Sequence, residues 1–285
     1  MHEIKYTAFV DVLGFSDFIK DEITNKKEAD KFYTDIKRYL IACLEHFKYD
    51  DLNPIFENEE FMKNIKFDYI WISDTFVISI ENNNSINSEE ESKLRAMMIY
   101  ILSLNVSYVN FYFINEYKIC IRGGITSKFT YLKDRIILGE GISEANNLEK
   151  NLAVNPRVIF SQNIITNDIL KNLHIDKSPT ITKDCDGYYF VNYLNVLNHT
   201  PPICGKSIRI SSYNNAKKII DLTIKNHKNI IIENIEKHKY SVNILAKYLW
   251  LKEYHNRYIN ENLSSDLLIK WLCFNINWNN ILSKK

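Results

Sequence analysis

Two apolar, β-forming segments that each carry a single acid constrain this chain most. Residues 9–16 read FVDVLGFS, so an apolar run carries Asp11 and then turns through Gly14. Residues 70–78 read IWISDTFVI and carry Asp74 in the middle of a predicted β-hairpin. Burying an unpaired carboxylate in such a segment costs roughly several kcal/mol unless a partner or a cation compensates it. Two acids on neighbouring strands are also suitable ligands for a hard divalent cation.

Size and charge exclude some classes of protein. A chain of 285 residues with 46% hydrophobic residues can form one large domain, or one domain with a helical appendage. Lys and Arg together number 36 and Asp and Glu 35, which leaves a net charge of +1. The chain therefore lacks the global positive field of nucleic-acid binders, and we expect no nucleic-acid partner.

Cysteine spacing and hydropathy predict the compartment. The five cysteines are scattered and include no CxxC pair, which predicts a reduced chain without a structural zinc site. The chain enters a predicted strand at once, unlike a signal peptide. The longest apolar run, near residues 96–104, is too short to span a bilayer. We therefore expect a cytoplasmic protein with no membrane partner.

Strand and helix patterns alternate over the first 200 residues. Strands are predicted at residues 5–12, 65–80 (a hairpin), 117–126, 136–138, 157–161 and 188–197. Helices are predicted at residues 29–47, 88–104, 141–152 and 163–173. The alternation predicts an α/β sandwich with one helical face.

After Pro201 and Pro202 the pattern becomes helical. Helices are predicted at residues 214–225, 229–237, 242–259 and 265–274, and no Gly/Ser-type linker separates them from the rest. We therefore predict a catalytic domain over residues 1–200 and a helical extension over residues 201–285 that packs on it.

The residues around both acids resemble the catalytic domain of class III nucleotidyl cyclases. Residues 9–16 are similar to the first metal-binding strand and phosphate turn of that family, and residues 72–75 (ISDT) to its second metal-binding hairpin. Downstream, residues 121–126 (IRGGIT) resemble the central strand and residues 138–149 the dimer-interface helix. The stand-alone bacterial pyrimidine cyclases of the Pycsar antiphage system look most similar. The resemblance implies a ferredoxin-like α+β sandwich with a central, mostly antiparallel sheet and flanking helices.

The resemblance also implies an activity. The ribose 3′-hydroxyl of a nucleoside triphosphate attacks the α-phosphate, giving a 3′,5′-cyclic monophosphate and pyrophosphate. UTP is favoured over CTP because uridylate cyclases are the commoner kind in this group. The product would act as a second messenger for antiphage defence and would need a separate cyclic-nucleotide-binding effector protein. The enzyme would be a homodimer with its sites at the interface.

The resemblance assigns roles to individual residues. Asp11, Asp74 and Val12 would hold two Mn²⁺ or Mg²⁺ ions, and Arg122 is the first choice for the catalytic cation. On the interface helix, Ser143 and Asn147 stand where many family members carry an Asn and an Arg. Backbone amides of the turn would hold the phosphates, and apolar positions would line the pocket of a small base; these two sets are Leu13, Gly14, Phe15 and Ser16, and Tyr69, Ile70 and Ile136.

Plainer interpretations stand beside these roles. Asp11 could be a helix-capping or turn residue, Asp74 a hairpin-turn acid, and Gly14 a residue that permits a tight turn. Arg122 could pair structurally with Glu140 or Glu149. The whole chain could also be a non-catalytic cyclase-like module that binds nucleotide or a partner, or a purine cyclase with unusual base contacts.

Overall fold

A mostly antiparallel sheet lies at the centre of the computed structural model, which describes residues 4–46, 64–82, 88–134, 136–173, 180–198, 213–263 and 267–268. The strands are β1 (Ile4–Val12), β2 (Ile65–Ile72), β3 (Thr75–Asn82), β4 (Ile121–Thr126), β5 (Tyr131–Lys133), β6 (Ile136–Leu138), β7 (Val158–Phe160), β8 (Ile181–Lys183) and β9 (Tyr189–Val191). Seven of them form one sheet in the order β2-β3-β1-β4-β7-β9-β8, and β5 and β6 form a separate hairpin. Only the β4–β7 pairing in that sheet is parallel.

The described helices flank this sheet. They are α1 (Phe15–Glu22), α2 (Lys26–His46), α3 (Ser88–Tyr112), α4 (Glu140–Asn147), α5 (Asn167–Asn172), α6 (Tyr193–Val196), α7 (Tyr213–Lys237) and α8 (Val242–Asn262). Two of them, α3 and α4, continue into single π-helical turns, Phe113–Tyr117 and Leu148–Leu152. The predicted α+β class with a mostly antiparallel sheet and flanking helices is confirmed, whereas its assignment to the class III cyclase sandwich stays a prediction.

Several predicted boundaries were wrong. The strand predicted from residue 117 begins at Ile121, because the helix before it continues to Tyr117 and ends where Lys118 adopts a left-handed conformation (φ 59°). The strand predicted over residues 188–197 divides into β9 and α6, and the two helices predicted at 214–237 form one continuous α7. The helix predicted at 265–274 lies outside the described residues, apart from 267–268.

The side chains of β1 alternate between the two faces of the sheet. Tyr6, Ala8 and Val10 are buried on the face against which α3 packs. Phe9 and Asp11 alternate with them and therefore lie on the other face, where Phe9 joins a small apolar cluster with Ile142 of α4. The period-two pattern thus places Asp11 on the side of the sheet that α4 covers.

Helix α3 is the core helix of the protein. Its side chains from Leu94 to Val109 are almost all buried, and the two serines of this stretch bond within the helix, as Ser103 Oγ does to the Ile99 carbonyl (2.7 Å). Among the described residues, one helical stretch, Glu90–Tyr117, is long and apolar enough to cross a membrane, but its apolar window is completely buried inside the protein. This apolar stretch is longer than the run predicted at residues 96–104, and its burial is that of a core helix.

The C-terminal helices share the core of the sheet. Ile224, Ile231 and Leu251 of α7 and α8 belong to the same buried cluster as the residues of β1 and α3. Asn115, in the π-helical turn after α3, donates to Thr223 Oγ1 of α7 over 2.9 Å. The helices therefore pack on the rest of the protein through both apolar and polar contacts, and the division at residue 200 stays a prediction.

Candidate active site

Asp11 and Arg122 face each other across strands β1 and β4. The antiparallel register pairs them directly, and Arg122 Nε donates to Asp11 Oδ2 over 3.2 Å. On its other side, Arg122 Nη2 lies 2.5 Å from Oε1 of Glu149, which is only 3% exposed. Glu140, the other partner predicted for Arg122, pairs with Lys128 instead. Asp11 lies within β1 and therefore does not cap a helix. Arg122 is therefore held between two carboxylates.

Asp74 joins this group through the β2–β3 hairpin. Ser73 and Asp74 form the hairpin turn, in which Ser73 has a positive φ of 58°. The Asp74 carbonyl accepts a hydrogen bond from the Val12 amide over 2.9 Å, which fixes the turn beside the end of β1. Asp74 is thus a hairpin-turn acid, and the turn brings it next to Asp11.

The charges of this cluster act on one another. Burial raises the pKa of the Asp11 carboxyl; the hydrogen bond and charge of Arg122 oppose the rise, and the charge of Asp74 adds to it. Burial also raises the pKa of Glu149, again opposed by Arg122 and increased by Asp11. Two carboxylates pair with one guanidinium here, and the charge of Asp74 acts on both of them, so the cluster favours a further cation.

The turn after β1 leads directly into a helix N-terminus. Gly14 caps α1 with a left-handed φ of 74°, a conformation that costs a glycine little, so its predicted tight-turn role is borne out by its geometry. The Leu13 amide already donates to the Cys120 carbonyl over 2.9 Å, and the Gly14 carbonyl accepts from the Asp17 amide over 3.1 Å. Of the four predicted phosphate-binding positions, Leu13 therefore has an amide that is already hydrogen-bonded within the protein. The side chain of Phe15 is buried.

A glycine in β4 lets Glu149 reach the cluster. A Cβ atom on Gly124 would lie 2.5 Å from Leu148 Cβ and 2.6 Å from the Ala145 carbonyl oxygen. Only glycine permits α4 and its π-helical turn to approach the strand so closely. This contact places Glu149, which follows Leu148, over Arg122.

A cleft opens between the turn after β1 and the C-terminal helices. It has a volume of ≈ 570 Å³ and is lined by Leu13 and Gly14 on one side and by Ile244, Lys247 and Tyr248 of α8 on another. Clefts of this size accommodate small-molecule ligands. The lining includes none of Asp11, Asp74, Arg122 and Glu149, and the cleft meets the candidate site at Leu13, two residues after Asp11.

The predicted base-pocket residues do not form one surface. Tyr69 and Ile70 are neighbours on β2 and face opposite sides of the sheet, because side chains alternate along a strand. Ile70 is buried with Val77 and Leu132 on the Asp11 face, whereas Ile136 is 54% exposed on the outer face of the β5–β6 hairpin. A pocket on the Asp11 face would be adjacent to Ile70 but not to Tyr69.

Ser143 and Asn147 lie on the exposed side of α4, away from Gly141 and Ala145, which are buried. Asn147 Oδ1 accepts from Asn151 over 2.6 Å. Both side chains are exposed, so within one chain they are surface residues.

The donor set fits a divalent ion that arrives with a phosphate ligand. Asp11 and Asp74 offer hard carboxylate oxygens, but among the described residues no group of three or more His, Cys, Asp or Glu side chains could hold a metal. Mg²⁺ commonly binds to one or two carboxylates together with substrate phosphates, rather than in an all-protein cage. The two acids suit that mode of binding.

Two residues of this region were missed as site residues by the sequence interpretation. The sequence interpretation treats Glu149 only as a structural partner of Arg122 and gives Lys247 no role. A detectable signal existed for Lys247, because it lies in the apolar stripe formed with Ile244, Tyr248 and Leu251 at helical spacing. A charge in such a stripe needs an explanation.

Comparisons with known proteins do not assign the chain to a family. No family model matches the chain, and no curated protein matches it. Among solved structures, the chain is similar to two described as bacterial light-regulated adenylyl cyclases. The first is 12% identical with a TM-score of 0.35, covering 78% of this chain and 100% of the other; the second is 9% identical with a TM-score of 0.35, covering 78% and 57%. A likeness this weak carries no functional conclusion.

Proposed function

We propose that this protein is a metal-dependent nucleotidyl cyclase that converts a pyrimidine nucleoside triphosphate, UTP in preference to CTP, to its 3′,5′-cyclic monophosphate and pyrophosphate. One observation carries the proposal. The end of β1, the β2–β3 turn and β4 bring Asp11, Asp74 and Arg122 together beside the N-terminus of α1. The pyrimidine base and a role as an antiphage second messenger, read by a separate effector protein, are supported by the sequence resemblance.

Each residue of the cluster has a role in this proposal. Asp11 and Asp74, with Val12 beside them, would hold the Mn²⁺ or Mg²⁺ ions. When bound, such ions lower the pKa of the attacking 3′-hydroxyl and offset the phosphate charge. The amides of Gly14, Phe15 and Ser16, at a helix N-terminus, would hold the β- and γ-phosphates.

Arg122 is suited to stabilise the charge that develops on the α-phosphate. It has two partners, so it can exchange Asp11 for a phosphate oxygen while Glu149 keeps its guanidinium in place. A planar guanidinium can serve both at once through different N–H groups. In this scheme Glu149 is a positioning residue.

A homodimer is supported by an apolar surface on the β5–β6 hairpin. Leu132 and Ile137 point inward toward Ile70, while Phe129, Tyr131, Ile136 and Leu138 form an exposed surface, which we call the hairpin patch. Phe129 is 65% and Leu138 58% exposed. Exposed contiguous apolar residues commonly mark interaction sites. We propose a second copy of this chain as the partner, with the active sites at the interface.

A second candidate function is a non-catalytic nucleotide-binding module. The observation in its favour is that Arg122 already pairs with Asp11, one of the two acids that would hold the metal. In such a module this ion pair would be permanent and would stabilise the junction of β1 and β4.

One experiment separates these functions. The purified protein is incubated with ATP, GTP, CTP and UTP in the presence of Mn²⁺, and the products are identified by mass spectrometry. We expect cyclic UMP or cyclic CMP with pyrophosphate, lost in Asp74→Ala and retained in Asp68→Ala, which removes an exposed acid from the same hairpin. Binding without turnover would support the non-catalytic module, and cyclic AMP or GMP would show a purine cyclase. Light scattering on the same sample reports the dimer.

A further inference from the structure

Helix α8 presents a lysine on its inner face. Leu251 is fully buried, and Ile244 and Tyr248 line the cleft, so Lys247, one turn after Ile244 and one before Leu251, belongs to the side of the helix that faces the protein. Lysine is rarely placed on such a face unless its charge has a use, because its ammonium loses hydration there.

The charges nearest to Lys247 belong to the candidate site. Burial lowers the pKa of Lys247; the positive charge of Arg122 lowers it further, and the carboxylates of Asp11 and Glu149 oppose this effect. Among the described residues, no carboxylate oxygen lies within 4.0 Å of the Lys247 ammonium. Lys247 is thus attracted to the cluster but is not bound to any one of its acids.

Two other cations that line the cleft are affected by acids of the cleft itself. Lys118 is influenced by Glu116 and Glu233, and His238 by Asp17. Lys247 differs because it responds to Asp11, Arg122 and Glu149, on β1, β4 and the turn after α4. It therefore connects the cleft with the acidic cluster.

We propose that Lys247 binds the triphosphate of the substrate, so that the C-terminal helices complete the active site within the same chain. This inference rests on the proposed function and adds a binding residue to it. A free ammonium at the junction of the cleft and the cluster suits a phosphate oxygen, since a charge-assisted hydrogen bond to phosphate is among the stronger ones. The helices would then be part of the binding site as well as of the core.

The test measures polyphosphate binding without any need for turnover. Inorganic tripolyphosphate with Mn²⁺ is titrated into the full chain by calorimetry, because this probe has no base or sugar. We expect Lys247→Ala to raise the Kd by about tenfold or more, the loss of one charge-assisted hydrogen bond, and Lys247→Arg to restore most of the affinity. Lys225→Ala, which removes an exposed lysine from α7, is the matched control and should bind like the unmodified protein.

The outcomes distinguish this inference from the proposed function. Equal tripolyphosphate affinity in the unmodified protein and in Lys247→Ala would overturn the role of Lys247 and leave the cyclase proposal intact. If the unmodified protein bound neither tripolyphosphate nor any of the four nucleotides, both would be overturned. A loss of affinity in Lys247→Ala that Lys247→Arg restores supports the inference even if no cyclic product forms.

A chemical footprint gives a second measurement. Acetic anhydride acetylates unprotonated amines, and the peptide containing Lys247 can be followed by mass spectrometry. We expect tripolyphosphate with Mn²⁺ to protect Lys247 from acetylation while leaving Lys225 unprotected. Equal labelling of Lys247 with and without tripolyphosphate contradicts the inference.

Discussion

Two arginines lie close together on this sheet, in different surroundings. Arg122 on β4 and Arg157, just before the neighbouring strand β7, each pair with two carboxylates. Arg157 is 2% exposed, pairs with Asp184 and Asp186, and lies over the rings of Phe190 and Trp250. Arg122 instead shares its cluster with Asp74 and Lys247, and Lys247 lines the cleft.

The acids beside the two arginines show what this difference means. Burial acts to raise the pKa of Asp186, but hydrogen bonds from Arg157 and from the Tyr188 amide outweigh it, so this pKa is lowered. For Asp11 burial outweighs Arg122, and the pKa is raised. The Arg157 cluster is therefore a structural ion-pair network, in which the Nη atoms of Arg157 are paired and its buried Nε has no hydrogen-bond partner among the described residues. The Arg122 cluster, in contrast, can still gain from a ligand. Paired arginines on one sheet can thus serve stability in one place and binding in another.

The largest expected effect is on stability, at Arg157. Arg157→Ala leaves Asp184 without its buried partner, so we expect the free energy of unfolding to fall by about 3 to 5 kcal/mol. Urea denaturation measures this change. The control is Arg257→Ala, which removes an exposed arginine that lies over Tyr254 and should cost about 1 kcal/mol or less. A similarly small loss of unfolding free energy in both variants would show that Arg157 has no special structural role.

The next effect is on turnover, at Arg122. Arg122→Ala should lower kcat by about tenfold or more, the size associated with losing one transition-state donor, roughly 2 to 4 kcal/mol. Arg122→Lys keeps the charge beside Asp11 and Glu149 but cannot serve two partners through a planar fork. We therefore expect Arg122→Lys to retain stability and lose turnover. Unchanged turnover in both variants would exclude Arg122 from the mechanism.

A third effect depends on pH and concerns the C-terminal helices. His227 and His255 stack in the core with their Nδ1 atoms 2.9 Å apart. Burial lowers the pKa of His227, and burial also lowers that of His255 from 6.5 to about 4. Because the folded pKa lies below the unfolded one, the unfolded chain binds more protons as the pH falls from 6.5 towards 4, and stability is lost over that window.

Thermal unfolding at a series of pH values measures this dependence. His255→Gln should flatten the profile between pH 6.5 and 4, because it removes one of the two titrating groups. A profile identical to that of the unmodified protein would show that the buried histidines do not set the acid limit of stability.

The smallest effect concerns one hydrogen bond at the Arg157 cluster. Trp250 Nε1 donates to Asp184 Oδ2 over 2.9 Å. Trp250→Phe keeps an aromatic ring near Arg157 but removes this bond, so we expect a loss of about 1 kcal/mol in urea denaturation. Tyr240→Phe, which alters an exposed ring, is the control and should be neutral. No loss in Trp250→Phe would show that this hydrogen bond does not contribute to stability.

Local features could be predicted from the sequence, whereas contacts between residues far apart in the chain could not. The apolar alternation of β1 and the hairpin around Asp74 were readable because strand periodicity and turn residues are local. The distance between Asp11 and Arg122 depends on the register of β1 against β4, which the resemblance suggested but no local pattern encodes. Lys247 was missed because its proposed role depends on charges of β1 and β4, more than 100 residues earlier in the sequence.

Boundary errors had local physical causes. Tyr117, Ile119 and Cys120 resemble the start of a strand, although Tyr117 still belongs to the π-helical turn that ends at the left-handed Lys118. Asn192 alone separates the apolar residues of β9 from those of α6, and short buried helices cannot be distinguished from buried strands by periodicity.

The central claim is that Asp11 and Asp74 hold divalent ions together with a triphosphate. Electron paramagnetic resonance of Mn²⁺, titrated in the presence of a nonhydrolysable UTP analogue, tests it without requiring turnover. We expect protein-dependent Mn²⁺ binding that the Asp11→Asn/Asp74→Asn double variant abolishes and that Asp68→Asn retains. Equal Mn²⁺ binding in the double variant and the unmodified protein would contradict the claim.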